Sequence, residues 1–172
     1  MGSLFEQALV ARRQAAHCYT ASTRVEFAPR HFQQMAGLIC YYNSSKFHYL
    51  YISHDEVAGR HVRVMSALPD QTQTDAFTPA LSIPSDVAVE LRVEVDYDRL
   101  HFAFRVSEAE WTWIPQQFDA SILSDEATAP GLPNFTGAFV GMACQDVSGS
   151  RCPADFDWFE YVERPYRSKG PL

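Results

Sequence analysis

Three groupings of carboxylates in this chain could share a proton: Asp55-Glu56, Asp125-Glu126, and the spaced pair Asp155 and Asp157. Cleavage of a glycosidic bond asks for two such groups facing one another across the scissile oxygen. Neighbours on a strand point to opposite faces, so neither adjacent pair makes a natural acid/base couple. Asp155 and Asp157 share a face if residues 155–161 are extended. Oxygen-bearing side chains so placed in a β-protein also suit calcium, which makes Asp157 and Asp155 the candidate metal ligands and Ca2+ the candidate cofactor. Calcium takes roughly six to eight oxygens, of which these two supply only a part, and a solvated strand edge accounts for the same pair. His54 beside Asp55 has the form of a base with its orienting acid, yet no nucleophile motif accompanies it. GxSxG, the P-loop and HExxH are all absent. No catalytic residue is assigned.

The other reactive side chains lead no further. Cys18, Cys40, Cys144 and Cys152 show no CxxC spacing and have no histidine at zinc-finger distance. Cys144 and Cys152 flank the turn QDVSGSR and could be close enough to bridge, but without a secretory signal they read as reduced thiols. Tyr41, Tyr42, Phe47, Tyr49 and Tyr51 could form a platform for pyranose rings, although alternation along strands sends about half of them into a core.

The elements that must carry these residues are mostly strands. Residues 4–16 have a weak helical pattern, with Leu4, Phe5, Ala8, Leu9 and Ala11 near one face. From Ala21 the period is two: Ala21, Thr23, Val25 and Phe27 alternate with polar residues up to Pro29. The run 35–42, the turn Asn43-Ser44-Ser45 and the alternating stretch 47–52 read as a hairpin. The clearest segment is 87–97, where Val87, Val89, Leu91, Val93, Val95 and Tyr97 line one face opposite Glu90, Arg92, Glu94 and Asp96. A turn at Asp98-Arg99 returns the chain through Leu100, Phe102, Phe104 and Val106. Further strands are expected at 61–67, 111–115, 137–143 and 156–163. Many short strands without βαβ alternation predict an all-β fold, a two-sheet antiparallel β-sandwich. The expected organisation is an entry segment over 1–19, the sandwich over 20–163 and a frayed tail over 164–172.

Composition agrees. The chain has 172 residues, 47% of them hydrophobic and 20% charged, which suits a single folded domain. Aromatic residues reach 13%, a load typical of β-structure. A net charge of −7 without a basic cluster argues against nucleic acid as a partner. No apolar run approaches the ~18 residues of a membrane span. The opening MGSLFEQALVARRQ lacks a signal-peptide core, so a cytoplasmic location is expected, and Met1-Gly2-Ser3 is equally compatible with a vector-derived leader.

Several long segments are recognisable. FQQMAGLICYYNSSKFHYLYISHDE (32–56), FDASILSDEA (118–127) and FTGAFVGMACQDVSG…PADFDWFEY (135–161) resemble the C-terminal β-sandwich domain of family 43 glycoside hydrolases of the β-xylosidase and α-arabinofuranosidase type. LFEQALVARRQ (4–14) is similar to the stretch that enters that domain. The resemblance implies a concanavalin A-like sandwich following a five-bladed catalytic propeller, whose carboxylates map to no position here. It also implies that a loop matching Pro130-Gly131-Leu132-Pro133-Asn134-Phe135 reaches the mouth of the propeller's active site. Phe135 is the expected pocket-closing residue, with Asn134 beside it against a xylo-oligosaccharide. Phe139 is the rival, but it reads as strand interior.

The leading expectation is therefore a non-catalytic accessory domain whose partners are the propeller, a short xylo-oligosaccharide and a second copy of the chain. The alternative is a free-standing xylan-binding module.

Overall fold

The computed structural model describes residues 7–68, 76–127 and 136–165. Twelve strands carry these segments: β1 (Gln7–Arg13), β2 (Cys18–Phe27), β3 (Gln34–Asn43), β4 (Lys46–Asp55), β5 (Gly59–Ala67), β6 (Ala76–Phe77), β7 (Leu81–Ser82), β8 (Val89–Asp96), β9 (Arg99–Val106), β10 (Thr112–Asp119), β11 (Phe139–Asp146) and β12 (Ala154–Glu163). They form two antiparallel sheets. One runs β1-β11-β3-β4-β5-β6, with β7 also on β5; the other runs β10-β9-β8-β2-β12. This is the β-sandwich the alternation predicts.

The main core lies between the sheets. Val89, Leu91, Val93 and Val95 of β8 meet Leu100 and Phe102 of β9 on one side and Ala36, Leu38, Leu50, Ile52, Val62 and Val64 on the other. Period-two alternation is enough to build it, because each inward residue is followed by one that faces out. The outer faces differ. On the five-stranded sheet Glu90, Arg92 and Glu94 face outward as expected. The seven-stranded sheet carries a second apolar cluster on its far side, built from Ile39, Phe47, Tyr49, Tyr51, Met65, Ala67 and Ala143. β4 is consequently buried on both faces from Lys46 to Ser53.

Three expectations are corrected. The pattern over 4–16 is not helical where it is described: Gln7–Arg13 is an edge strand in register with β11, from Gln7↔Gln145 to Arg13↔Phe139. Backbone pairing to an open sheet edge outweighs a weak amphipathic pattern, and Val10 stays 67% exposed there. The β8–β9 turn is Tyr97-Asp98 rather than Asp98-Arg99, since Asp96 pairs Arg99 and Tyr97 takes φ 56°. The aromatic platform does not exist as a surface. Tyr42 enters the inter-sheet core, and Phe47, Tyr49 and Tyr51 are buried on the opposite side of the same sheet.

Close packing of β3 on β4 depends on a missing side chain. A Cβ at Gly37 would lie 2.1 Å from the Leu50 carbonyl oxygen, so only glycine fits.

Candidate functional site

Two polar residues of β4 occupy inward positions where alternation calls for apolar ones. Lys46 is 2% exposed, and its ammonium lies 3.7 Å from the centroid of the Tyr42 ring. It donates to the carbonyls of Ser124 at 2.7 Å and Ala127 at 3.0 Å. The Tyr42 hydroxyl donates to Asp125, and the Tyr42 carbonyl accepts from the Thr136 hydroxyl at 3.3 Å. The Arg13 guanidinium also donates to the Thr136 carbonyl. Residues 124–127 and 136 are the described flanks of one connection between β10 and β11, and Tyr42 and Lys46 hold both. Burial pulls the Lys46 ammonium below the ordinary lysine range, and the charges of Asp125 and Glu126 partly restore it.

His48, the next inward residue of β4, fixes the start of the same connection. Its Nε2 is 3.0 Å from the Asp119 carbonyl, its Nδ1 is 2.7 Å from the Ser66 hydroxyl, and its ring packs on Phe118. A carbonyl only accepts, so Nε2 carries the proton and Ser66 donates to Nδ1. Burial holds the imidazole below its ordinary value, partly offset by the Asp119 carbonyl. Asp119 then caps the 3-10 turn over Ala120–Leu123 by accepting from the Ser121 amide at 2.8 Å.

The expected site residues fall in different places. Phe135 and Asn134 lie outside the described residues, although Thr136, the next residue, is held as above. Phe139 opens β11, half-buried with the Arg13 guanidinium 4.9 Å from its ring centroid. Asp155 and Asp157 are both exposed on β12, separated by a register irregularity between Phe156 and Trp158. Asp157 pairs with Arg24, which also lies 3.7 Å from Glu26. Among the described residues no group of three or more His, Cys, Asp or Glu is placed to hold a metal ion. Asp55 accepts from the amides of Ala58 at 2.6 Å and Val57 at 2.9 Å, which hold its carboxyl below the usual range. Asp125 is bonded to Tyr42, so neither adjacent carboxylate pair is arranged as an acid facing a base. The four cysteines are free thiols.

Sequence reasoning passed over Lys46 and His48, and weighed Tyr42 only as part of a platform for sugar rings. The available signal was a lysine and a histidine two residues apart, in step with Leu50 and Ile52 on an otherwise apolar strand.

Residues 1–162 match the family model described as the beta xylosidase C-terminal concanavalin A-like domain. The chain belongs to this family. It is 39% identical over 163 residues to the beta-xylosidase of Bacillus subtilis, covering 94% of this chain and 30% of that protein. It is 36% identical over 171 residues to xylosidase/arabinosidase 43B of Humicola insolens, covering 96% and 32% respectively. The crystal structure of xylan beta-1,4-xylosidase from Bacillus halodurans superposes with a TM-score of 0.85 at 34% identity, over 92% of this chain and 30% of that one. The chain thus spans about 30% of the length of the curated β-xylosidases it matches. It corresponds to the C-terminal, non-catalytic part of family 43 hydrolases.

Proposed function

We propose that this β-xylosidase C-terminal domain packs on the catalytic propeller of a xylan-degrading family 43 hydrolase and helps close its active site. The segment 130–135 is the part it contributes, with Phe135 stacking on a xylo-oligosaccharide and Asn134 beside it. The observation that carries this reading is the fixation of both flanks of that segment by Tyr42 and Lys46. A loop that merely connected two strands would not require a buried ammonium at its base, whose desolvation costs several kcal/mol unless compensated (about 1–3 per unmet polar group). Rigid roots suit a loop that must present one side chain to a partner's pocket.

The test is made in the full-length parent hydrolase. Phe135→Ala should lower kcat/KM on a 4-nitrophenyl xyloside by roughly tenfold to a hundredfold, the scale of one lost aromatic contact. The pH–rate profile should keep its shape, because acid and base belong to the propeller. Full activity in that variant would leave the domain as a scaffold.

A further inference from the structure

An edge strand presents a row of unpaired backbone groups, a template for another chain unless it is blunted. On one side of the sandwich both edges are blunted. Among the described residues β6 and β7 have two residues each, and β10 carries Pro115 inside a register irregularity between Trp113 and Gln117. On the other side neither edge is. β1 pairs β11 in unbroken register over seven residues without a proline, and β12 runs for ten with one irregularity near its start. These two strands lie side by side. The Arg12 guanidinium is 4.0 Å from the Tyr161 ring centroid, and the Tyr161 hydroxyl accepts from the amides of Ala15 at 3.2 Å and Ala16 at 3.1 Å.

β1 is apolar on both faces. Val10 pairs Met142, on the face that carries Val140 into the inter-sheet core, yet Val10 is the more exposed of the two leading residues of the strand. Leu9 pairs Ala143 of the outer cluster and is 39% exposed. β12 adds Trp158 at 39% and Val162 at 47%. Four of the nine large apolar residues exposed among the described residues therefore lie on these two strands. Charges of both signs stand around them. Among the described residues Arg12 and Arg13 face no carboxylate, and Glu160 and Glu163 face no cation. An apolar centre with a charged rim is the composition of a protein interface. Arg13 also donates to the Thr136 carbonyl, so the same edge continues into the β10–β11 connection.

The occupant follows from where the relatives carry the rest of their length. This is a C-terminal domain spanning 30% of the Bacillus subtilis beta-xylosidase, so the remainder is joined ahead of β1, the edge strand itself. A tethered domain is present at a roughly millimolar effective concentration, which a free second copy does not reach. We propose that the β1/β12 edge is the surface covered by the preceding catalytic domain. Its apolar patch sits on Leu9, Val10, Trp158 and Val162, with carboxylates towards Arg12 and Arg13 and cations towards Glu160 and Glu163. This inference rests on the proposed packing against a propeller and names the surface that makes it.

The experiment compares hydrogen exchange in this chain alone and in the full-length parent hydrolase. Peptides over 7–13 and 154–163 should exchange at least roughly tenfold more slowly in the parent, while 112–117, on the opposite edge, exchanges alike in both. Val10→Asp in the parent should abolish the slowing over 154–163, and Val162→Asp that over 7–13. Both positions are exposed, so each variant of the isolated chain should melt as the unsubstituted chain does. Equal exchange over 7–13 and 154–163 in chain and parent overturns the proposal. So does equal slowing over 112–117, or slowing in the isolated chain that grows with its concentration, which assigns the edge to a second copy. Phe135→Ala separates this surface from the active-site role. Slowing alongside a fully active Phe135→Ala parent upholds the surface and ends only the closure of the active site. No slowing alongside an impaired Phe135→Ala parent does the reverse.

Discussion

Lys46 and Tyr42 face each other across the β3–β4 hairpin, with the ammonium 3.7 Å from the ring centroid, and between them they hold Ser124, Asp125, Ala127 and Thr136. The pair converts the end of the sandwich into a fixed base for the connection that leaves it. A buried ammonium is tolerated there because two carbonyls and an aromatic face replace its water.

Lys46→Met keeps the stem of the side chain but leaves the carbonyls of Ser124 and Ala127 unmet. It should destabilise the isolated chain by about 1–3 kcal/mol in urea unfolding. In the parent hydrolase the same variant should lower kcat/KM without moving the pH–rate profile. An unchanged kcat/KM with lowered stability would confine Lys46 to a structural role.

His48 gives the fold a titration of known sign. Its folded pKa lies below the ordinary 6.5 because burial disfavours the imidazolium. The unfolded chain therefore takes up this proton first as the pH drops. Stability is fully present above about pH 6.5 and declines below it, by up to about 1.4 kcal/mol per pH unit, until the folded pKa is reached. His48→Gln should remove that part of the slope between pH 6.5 and 5 while leaving other contributions in place. Identical slopes for parent and variant would show that His48 is protonated without cost.

Val93 is fully buried at the centre of the inter-sheet core. Val93→Asp places an unpaired carboxylate there and should abolish cooperative folding. Circular dichroism and thermal melting decide the matter, and a soluble variant with a native melt would contradict the assigned face of β8.

Gly37→Ala brings a methyl group against the Leu50 carbonyl and the Tyr51 backbone, which cannot swing aside as a side chain could. Overpacking of this kind costs typically about 1–3 kcal/mol, and more where the obstacle is main chain. The melting temperature should fall, whereas Gly149→Ala, whose added Cβ would meet nothing within 4 Å, should cost only the strain of its φ of 79°.

The all-β architecture, the β3–β4 hairpin and the inward face of β8 were legible from the sequence because local alternation dictates them. A residue at Leu91 or Val93 has no other way to leave water while its neighbours stay solvated. The family resemblance was equally legible, since it rests on long contiguous segments. What alternation could not express is which strands are buried on both faces. β4 reads as a half-wet strand with aromatic residues to spare, yet Phe47, Tyr49 and Tyr51 fill a second apolar cluster while Lys46 and His48 turn inward. Their partners, Ser124, Ala127 and Asp119, lie about seventy to eighty residues further along the chain. The strand identity of Gln7–Arg13 was likewise hidden, because it depends on an open edge of β11 more than a hundred residues away. Periodicity records what a residue does to its neighbours in sequence; hydrogen bonds between distant strands are settled only when the two sheets close.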